Sequence, residues 1–192
     1  MIKATQDYIQ ATLAFRGEGS VTPAQITHLQ KILLDHPGIK SVVETGFNLG
    51  ISAAAFLSVS ADITVVSFDW LTHPDSLECK NIIDGCFPGR HTLIAGDSLN
   101  SLPAFARIAR PSCFDLAFVD GGHVWPVPYE DLVNLLALVK VGGGVVMDDY
   151  CPAYGNDGVI RAWDTCVAAG KIMELGDPLV DGNRGMVIGV KL

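Results

Sequence analysis

The chain has no C-x-x-C pair. Its five cysteines, Cys79, Cys86, Cys113, Cys151 and Cys166, are scattered, which excludes a zinc ribbon or a disulfide-stapled scaffold as the basis of the fold. No apolar run reaches the ~18 residues of a membrane span. The start, Met1 to Asp7, has no basic-then-apolar leader pattern. A cytoplasmic protein with no membrane partner is the expectation. Positive charge is also scarce. Thirteen Lys and Arg stand against twenty-one Asp and Glu, a formal net charge of -8. No basic run offsets that balance, so nucleic acid is not an expected partner. Two signatures of nicotinamide enzymes are missing as well: there is no G-x-G-x-x-G and no Tyr-x-x-x-Lys pair. No internal repeat or low-complexity linker breaks the chain.

What is present suits one globular core. The 192 residues are 49% hydrophobic and 18% charged, which suggests a single folded domain rather than a disordered chain. Residues 1–25 read as an N-terminal helical segment, with Ile2, Ile9 and Leu13 on a short helix and a break at Gly17 to Ser20. This segment is a candidate substrate lid. Thr22-Pro23-Ala24-Gln25 is a helix start, with Thr22 as N-cap, Pro23 at the first helical position and Gln25 completing a capping box. Ile26, Leu29 and Leu33 follow on one face, and His36-Pro37-Gly38 ends the helix.

Residues 26–192 then alternate strand and helix. Strands are expected at Ile39–Glu44, Ile63–Phe68, His91–Ala95, Phe114–Val119 and Gly143–Met147. Residues 171–176 and 185–191 read as two closing strands around the turn Asp181-Gly182-Asn183. Helices are expected over 74–85, along the stripe from Leu99 to Ala109, from Pro128 to Val139, and around Ile160, Trp163 and Val167. Continuous apolar strands separated by helices predict an α/β fold. It should be a Rossmann-like, doubly wound, seven-stranded sheet, mostly parallel, with an antiparallel C-terminal hairpin strand.

The first strand runs into Glu44-Thr45-Gly46-Phe47-Asn48-Leu49-Gly50, and a helix opens at Ile51-Ser52. A strand, a glycine turn and a helix start let a ligand approach bare backbone. Each of the first five strands ends in an acid: Glu44, Asp69, Asp97, Asp120 and Asp148. Any one of these fits a helix cap. Five at equivalent places should rim one crevice, because ligands of parallel sheets bind beyond the carboxyl ends of the strands. Asp69 lies where an acid can accept from ribose hydroxyls. Trp70 beside it could flank an adenine, and Asp97-Ser98 could meet the adenine amino group.

Asp120, Asp148 and Asp149 form a second cluster. If the fourth and fifth strands are neighbours, their ends lie ~4.8 Å apart and bring these carboxylates together. They would repel unless protonated or bridged by a cation, and oxygen donors suit Mg²⁺ or Ca²⁺ rather than zinc. His123 follows Asp120 after two glycines, where a neutral imidazole could take a proton from a hydroxyl. A surface loop histidine is the plain alternative.

The glycine turn resembles the first motif of class I S-adenosylmethionine-dependent methyltransferases. Asp69, Gly96-Asp97-Ser98, Phe118 to His123 and Val141 to Tyr150 fall where the later motifs of that class fall. The acid cluster is similar to that of metal-dependent O-methyltransferases of the catechol and caffeoyl-CoA type. Asp149 stands where those carry Asn, and His123 where the catechol type carries Lys. The Asp-Asp-Tyr version resembles macrocin-type sugar O-methyltransferases. The resemblance implies S-adenosylmethionine bound by Glu44, Gly46, Asn48, Gly50, Ser52, Asp69, Trp70, Asp97, Ser98 and Asp120. It implies Mg²⁺ or Ca²⁺ on Asp120, Asp148 and Asp149, with His123 and Asp120 catalytic. The acceptor would be a small hydroxylated molecule of sugar or natural-product type. Short lid segments at 1–25, 70–90 and 150–158 suggest an open site, or one completed by a second copy in a homodimer. The rival readings are an NAD-dependent oxidoreductase, a non-catalytic protein that binds an adenosyl ligand, and an RNA methyltransferase, the last disfavoured by the acidic balance.

Overall fold

The computed structural model describes residues 21–192. The helix expected around Ile2, Ile9 and Leu13 lies outside the described residues. The first described helix, α1 (Pro23–Asp35), starts as its sequence dictates. Thr22 Oγ1 accepts from Gln25 N, Gln25 Oε1 accepts from Thr22 N, and Pro23 fills the first helical turn.

Then follow β1 (Ser41–Thr45), α2 (Ile51–Val59), β2 (Thr64–Asp69), α3 (Ser76–Cys86), β3 (His91–Ala95), α4 (Ser98–Ile108) and β4 (Phe114–Val119). The chain continues through α5 (Val127–Leu138), β5 (Val139–Asp148), a 3₁₀ turn at Pro152–Tyr154 and α6 (Asp157–Ala168). It closes with β6 (Ile172–Glu174), β7 (Leu179–Asp181) and β8 (Arg184–Lys191).

The sheet order is β3-β2-β1-β4-β5-β8-β6, with β7 also paired to β8. The first five strands are parallel, and β8 is antiparallel to β5, β6 and β7. The expected seven strands are therefore eight. The single closing strand expected at 171–176 ends at Glu174. Gly176 takes φ +67° there, and Pro178 offers no N–H to a ladder. Pairing with β8 resumes at Leu179, so β6 and β7 lie in line along one edge of β8.

Adjacent strand residues serve opposite faces, which is why the strands are apolar throughout. Val42, Val65, Leu116, Phe118 and Val146 pack on the side of α1, α2 and α3. Val43, Phe68, Ala117, Val119, Val145 and Met147 pack on the side of α4, α5 and α6. The chain winds from β1 outward to β3, then returns to place β4 on the other side of β1. Between β1 and β4 the order reverses, and a crevice opens at such a switch point.

Candidate active site

Strand register fixes the rim of the crevice. Thr45 lies opposite both Phe68 and Val119, Val119 opposite Met147, and Asp69 opposite Ala95. The residues that follow therefore collect along one edge of the sheet. A cleft of about 700 Å³ opens there. Of the residues expected from sequence, Gly46, Asn48, Asp69, Trp70, Asp97, Ser98, Asp120 and His123 line it. Ser52 borders a small recess beside it, together with Gly46 and Asp120. Glu44, Gly50, Asp148 and Asp149 stand behind the lining.

The glycine turn is held from beneath. Gly46 has φ +87°, and a Cβ there would stand 1.8 Å from the Asp120 carbonyl oxygen, so the β1 and β4 loops meet only because this residue has no side chain. Gly50 also takes a left-handed φ, +70°, just before α2. Phe47 N and Asn48 N donate to Asp69 Oδ2 at 2.7 and 2.8 Å, and Leu71 N donates to Asp69 Oδ1 at 2.5 Å. Asp69 thus ties the turn to the end of β2.

Asp97 caps α4, accepting from Leu99 N at 3.0 Å and from Asn100 Nδ2 at 3.2 Å. Trp70 is 72% exposed on the rim. Glu44 is fully buried and accepts from Ser52 Oγ at 2.8 Å and from Ser67 Oγ at 2.6 Å. Burial pushes its carboxyl up to about 7 against the pull of both serines. Glu44 therefore fastens α2 to β1 and β2 one layer below the cleft. Ser67 Oγ also lies 2.8 Å from His91 Nε2. Burial, helped by Lys80, lowers His91 to about 4, so this imidazole is neutral near pH 7.

The other wall carries charges beside charges. His123 Nε2 lies 3.0 Å from Asp149 Oδ2, and Arg184 Nη1 lies 3.1 Å from Asp149 Oδ1. Asp149 sits at φ +57° in the tight turn after β5. One donor atom each from Asp120, His123 and Asp149 fall within 4.8 Å of one another. Asp148 Oδ1 accepts from Asp149 N at 2.8 Å and from Gln25 Nε2.

Desolvation, then the charges of Asp148, Asp149 and Glu44, push Asp120 well above the usual carboxylate range. Burial and Asp149 raise Asp148 to about 7. Burial also acts to raise Asp149, but the His123 hydrogen bond and the Arg184 charge outweigh it and hold that carboxyl low. The hydrogen bond to Asp149 raises His123 despite its burial. Two carboxylates, Asp120 and Asp149, and the His123 imidazole bring donor atoms to one point, a set that fits a divalent cation, and the Asp148 carboxylate, expected from sequence as a third ligand, lies outside that cluster.

Three residues of the site were not singled out for it from sequence. Arg184 arrives from β8. Gln25 was read only as a helix cap. Asp131 lies inside α5, fully buried, lining the cleft beneath Gly121 with no hydrogen bond on either oxygen. Its signal was available: it stands four positions before Leu135, on the buried face of α5.

An open parallel sheet with a glycine turn after β1 and acids beyond its strand ends defines an α/β protein that binds a small ligand at the carboxyl edge. The chain belongs to the methyltransferase domain family, which matches residues 43–150. Among curated protein sequences none matches it. Solved structures share its fold. An O-methyltransferase from Bacillus cereus in complex with SAH has TM-score 0.77 and 18% identity, over 98% of this chain and 91% of that one. The O-methyltransferase TomG from Streptomyces achromogenes, involved in tomaymycin synthesis and solved with SAM, has TM-score 0.76 and 20% identity, over 98% and 89%. The SAH-bound methyltransferase PaMTH1 from Podospora anserina has TM-score 0.73 and 17% identity, over 98% and 88%. Among the described residues no helix is long and apolar enough to cross a membrane.

Proposed function

We propose that this protein transfers a methyl group from S-adenosylmethionine to a hydroxyl oxygen of a small molecule. One observation carries the reading: His123 Nε2 stands 3.0 Å from Asp149 Oδ2 at the mouth of a cleft built on the Gly46 turn. With its Nε2 proton donated to Asp149, the neutral imidazole keeps a lone pair on Nδ1. That nitrogen accepts the acceptor's hydroxyl proton. The oxygen forms a bond to the methyl carbon as the carbon–sulfur bond breaks, and the sulfonium leaves as the thioether S-adenosylhomocysteine. Asp149 holds the imidazole in the right tautomer and stabilises the imidazolium.

The turn from Gly46 to Gly50, with Asn48 and Ser52 beside it, would hold the cofactor's amino-acid end. Asp69 and Trp70 would flank the ribose and adenine, and Asp97 and Ser98 would close the adenine end. Asp120 and Asp149 would hold Mg²⁺ or Ca²⁺, which when bound supplies positive charge that lowers the acceptor's pKa. Asp120 lines the cleft with its carbonyl oxygen against Gly46. Holding both reactants in line is the main gain, worth up to ~7–11 kcal/mol in well-oriented cases.

A small hydroxylated acceptor, of sugar or natural-product type, is favoured over nucleic acid. No Lys or Arg is among the described residues that line the cleft. Five free cysteines suit a reducing cytoplasm. A homodimer would complete the open side of the cleft.

The test is a calorimetric titration with S-adenosylhomocysteine, with NAD as control. Saturable binding of the former alone is expected. Preference for NAD, or no binding of S-adenosylhomocysteine, overturns the reading.

A further inference from the structure

We infer that Arg184, at the start of β8, is a built-in counter-charge that weakens the hold of the Asp120, His123 and Asp149 cluster on a divalent cation. The inference rests on the cation reading proposed above and adds the residue that sets the affinity of that site.

Strand register brings Arg184 to the cluster. Asp148, at the end of β5, pairs with Met186, so the residues just before Met186 run beside the turn that follows β5. Gly185 lets the two segments come close, because a Cβ there would stand 2.0 Å from the Tyr150 carbonyl oxygen. Arg184 pairs across the β7–β8 hairpin with Asp181. Asp181 Oδ2, however, accepts from Thr22 Oγ1 at 2.8 Å, and the guanidinium donates to Asp149 Oδ1 at 3.1 Å. Asp149 is one of the three residues whose donor atoms lie within 4.8 Å of one another. Whichever of its oxygens meets a cation, the guanidinium shares that carboxylate with it.

A guanidinium keeps its charge at any working pH. The Asp149 side chain is 5% exposed and that of Arg184 26%, so water screens the pair only in part. The charge of Arg184 also acts on Asp120 and Asp148. A divalent cation would therefore bind beside a fixed positive charge, and like charges repel more strongly where water is scarce.

Asp149 does not depend on Arg184 for its place. Its N–H donates to Asp148 Oδ1 at 2.8 Å, its carbonyl accepts from Asn156 Nδ2 at 3.0 Å, and its Oδ2 lies 3.0 Å from His123 Nε2. What the guanidinium adds is mainly charge. It gives Asp149 a permanent counter-charge, where a bound cation gives one that comes and goes.

Three variants test this. Arg184→Met removes the charge and keeps an apolar stem. Arg184→Gln removes the charge and keeps a polar end. Arg184→Lys keeps the charge. Each is titrated with Mn²⁺ near neutral pH beside the unsubstituted protein. The unbound ion is followed by electron paramagnetic resonance, and S-adenosylhomocysteine binding serves as the folding control. If one neutral variant fails that control, the other decides.

The expected result is Mn²⁺ bound about 10-fold or more tightly by the two neutral variants. Arg184→Lys should stay close to the unsubstituted affinity, and all should bind S-adenosylhomocysteine normally. Unchanged or weaker Mn²⁺ binding in the neutral variants overturns the inference and leaves Arg184 a structural tie to the turn after β5. Equal tightening in Arg184→Lys also overturns it, since space rather than charge would then be the cause. Mn²⁺ binding by none of the four proteins instead sinks the cation reading on which this inference rests.

Discussion

The two halves of the carboxyl edge neutralise their acids in different ways. Under β1, β2 and β3, Glu44, Asp69 and Asp97 accept from serine hydroxyls, backbone N–H groups or an amide. Dipoles surround charge, and they fasten the glycine turn to the end of β2. At the ends of β4 and β5, Asp120, Asp148 and Asp149 face one another, with His123 and Arg184 as counter-charges. Charge surrounds charge, and the arrangement is sensitive to any proton or cation that arrives. The first half suits a constant task, holding a cofactor. The second suits a task in which a proton must move. In both halves carboxylates are withdrawn from water, so burial alone does not separate them.

Removing a side chain from the charged half should leave the cofactor half intact, whereas a side chain added at Gly46 presses on both, because it meets the Asp120 carbonyl. The largest effect is expected on the charged side. His123→Ala should lower the turnover rate by ~10²–10⁴-fold while S-adenosylhomocysteine affinity stays near wild type. The unsubstituted enzyme should gain activity as pH rises through the raised His123 pKa, because only the neutral ring accepts a proton. A pH–rate profile of both proteins checks this, and a near-native rate in the variant would reassign His123 to structure. A somewhat smaller effect is expected on the dipolar side. Gly46→Ala puts a methyl group against the Asp120 carbonyl and at φ +87°. A loss of roughly 2–4 kcal/mol of stability is expected, a fall in melting temperature of about 5–15 °C. Weakened cofactor binding should accompany it. Thermal melts with and without S-adenosylhomocysteine measure both, and an unchanged melting temperature would mean that the two loops part without cost.

The same division explains what the sequence made legible. β3 and β4 match their expected bounds, His91–Ala95 and Phe114–Val119, because local apolar runs and flanking turns define them. The α1 start was readable because Thr22, Pro23 and Gln25 act within one turn. The strand-end acids were readable because the strands were. The dipolar partners of those acids were harder to see, since a backbone N–H has no letter in a sequence. The charged partners were hidden by distance. Arg184 meets Asp149 from a strand 35 positions on, and Gln25 meets Asp148 only because α1 packs beside the sheet. The split of the closing edge into β6 and β7 turns on Gly176 and Pro178, breakers present in the sequence that the expected strand over 171–176 did not weigh.

Asp131 belongs to neither half and gives the finest test of the comparison. It stands between Thr45, Ser98 and Gly121, and its oxygens make no hydrogen bond. Burial raises its carboxyl from 3.8 to about 6, while the neighbouring Ser98 and Thr45 hydroxyls pull it down. The sign of the stability effect follows. The folded pKa lies above the unfolded one, so the folded chain holds the extra proton between them. The stabilisation is complete below about pH 4 and is lost as pH rises through about 6. Asp131→Asn keeps the shape and cannot ionise, so it should lack this loss. Relative to wild type, the variant should gain on the order of 1–3 kcal/mol between about pH 4 and about pH 8. Denaturant unfolding at both values measures the difference, and the other raised acids cancel because both proteins share them. A difference that does not change with pH would mean that burial does not raise Asp131 in the folded protein and that neighbouring dipoles hold it, as backbone N–H groups hold Asp69. It would then extend the cofactor half beneath Gly121. A pH-dependent gain would mean that burial outweighs the pull of the Ser98 and Thr45 hydroxyls and keeps the proton on Asp131 up to about pH 6.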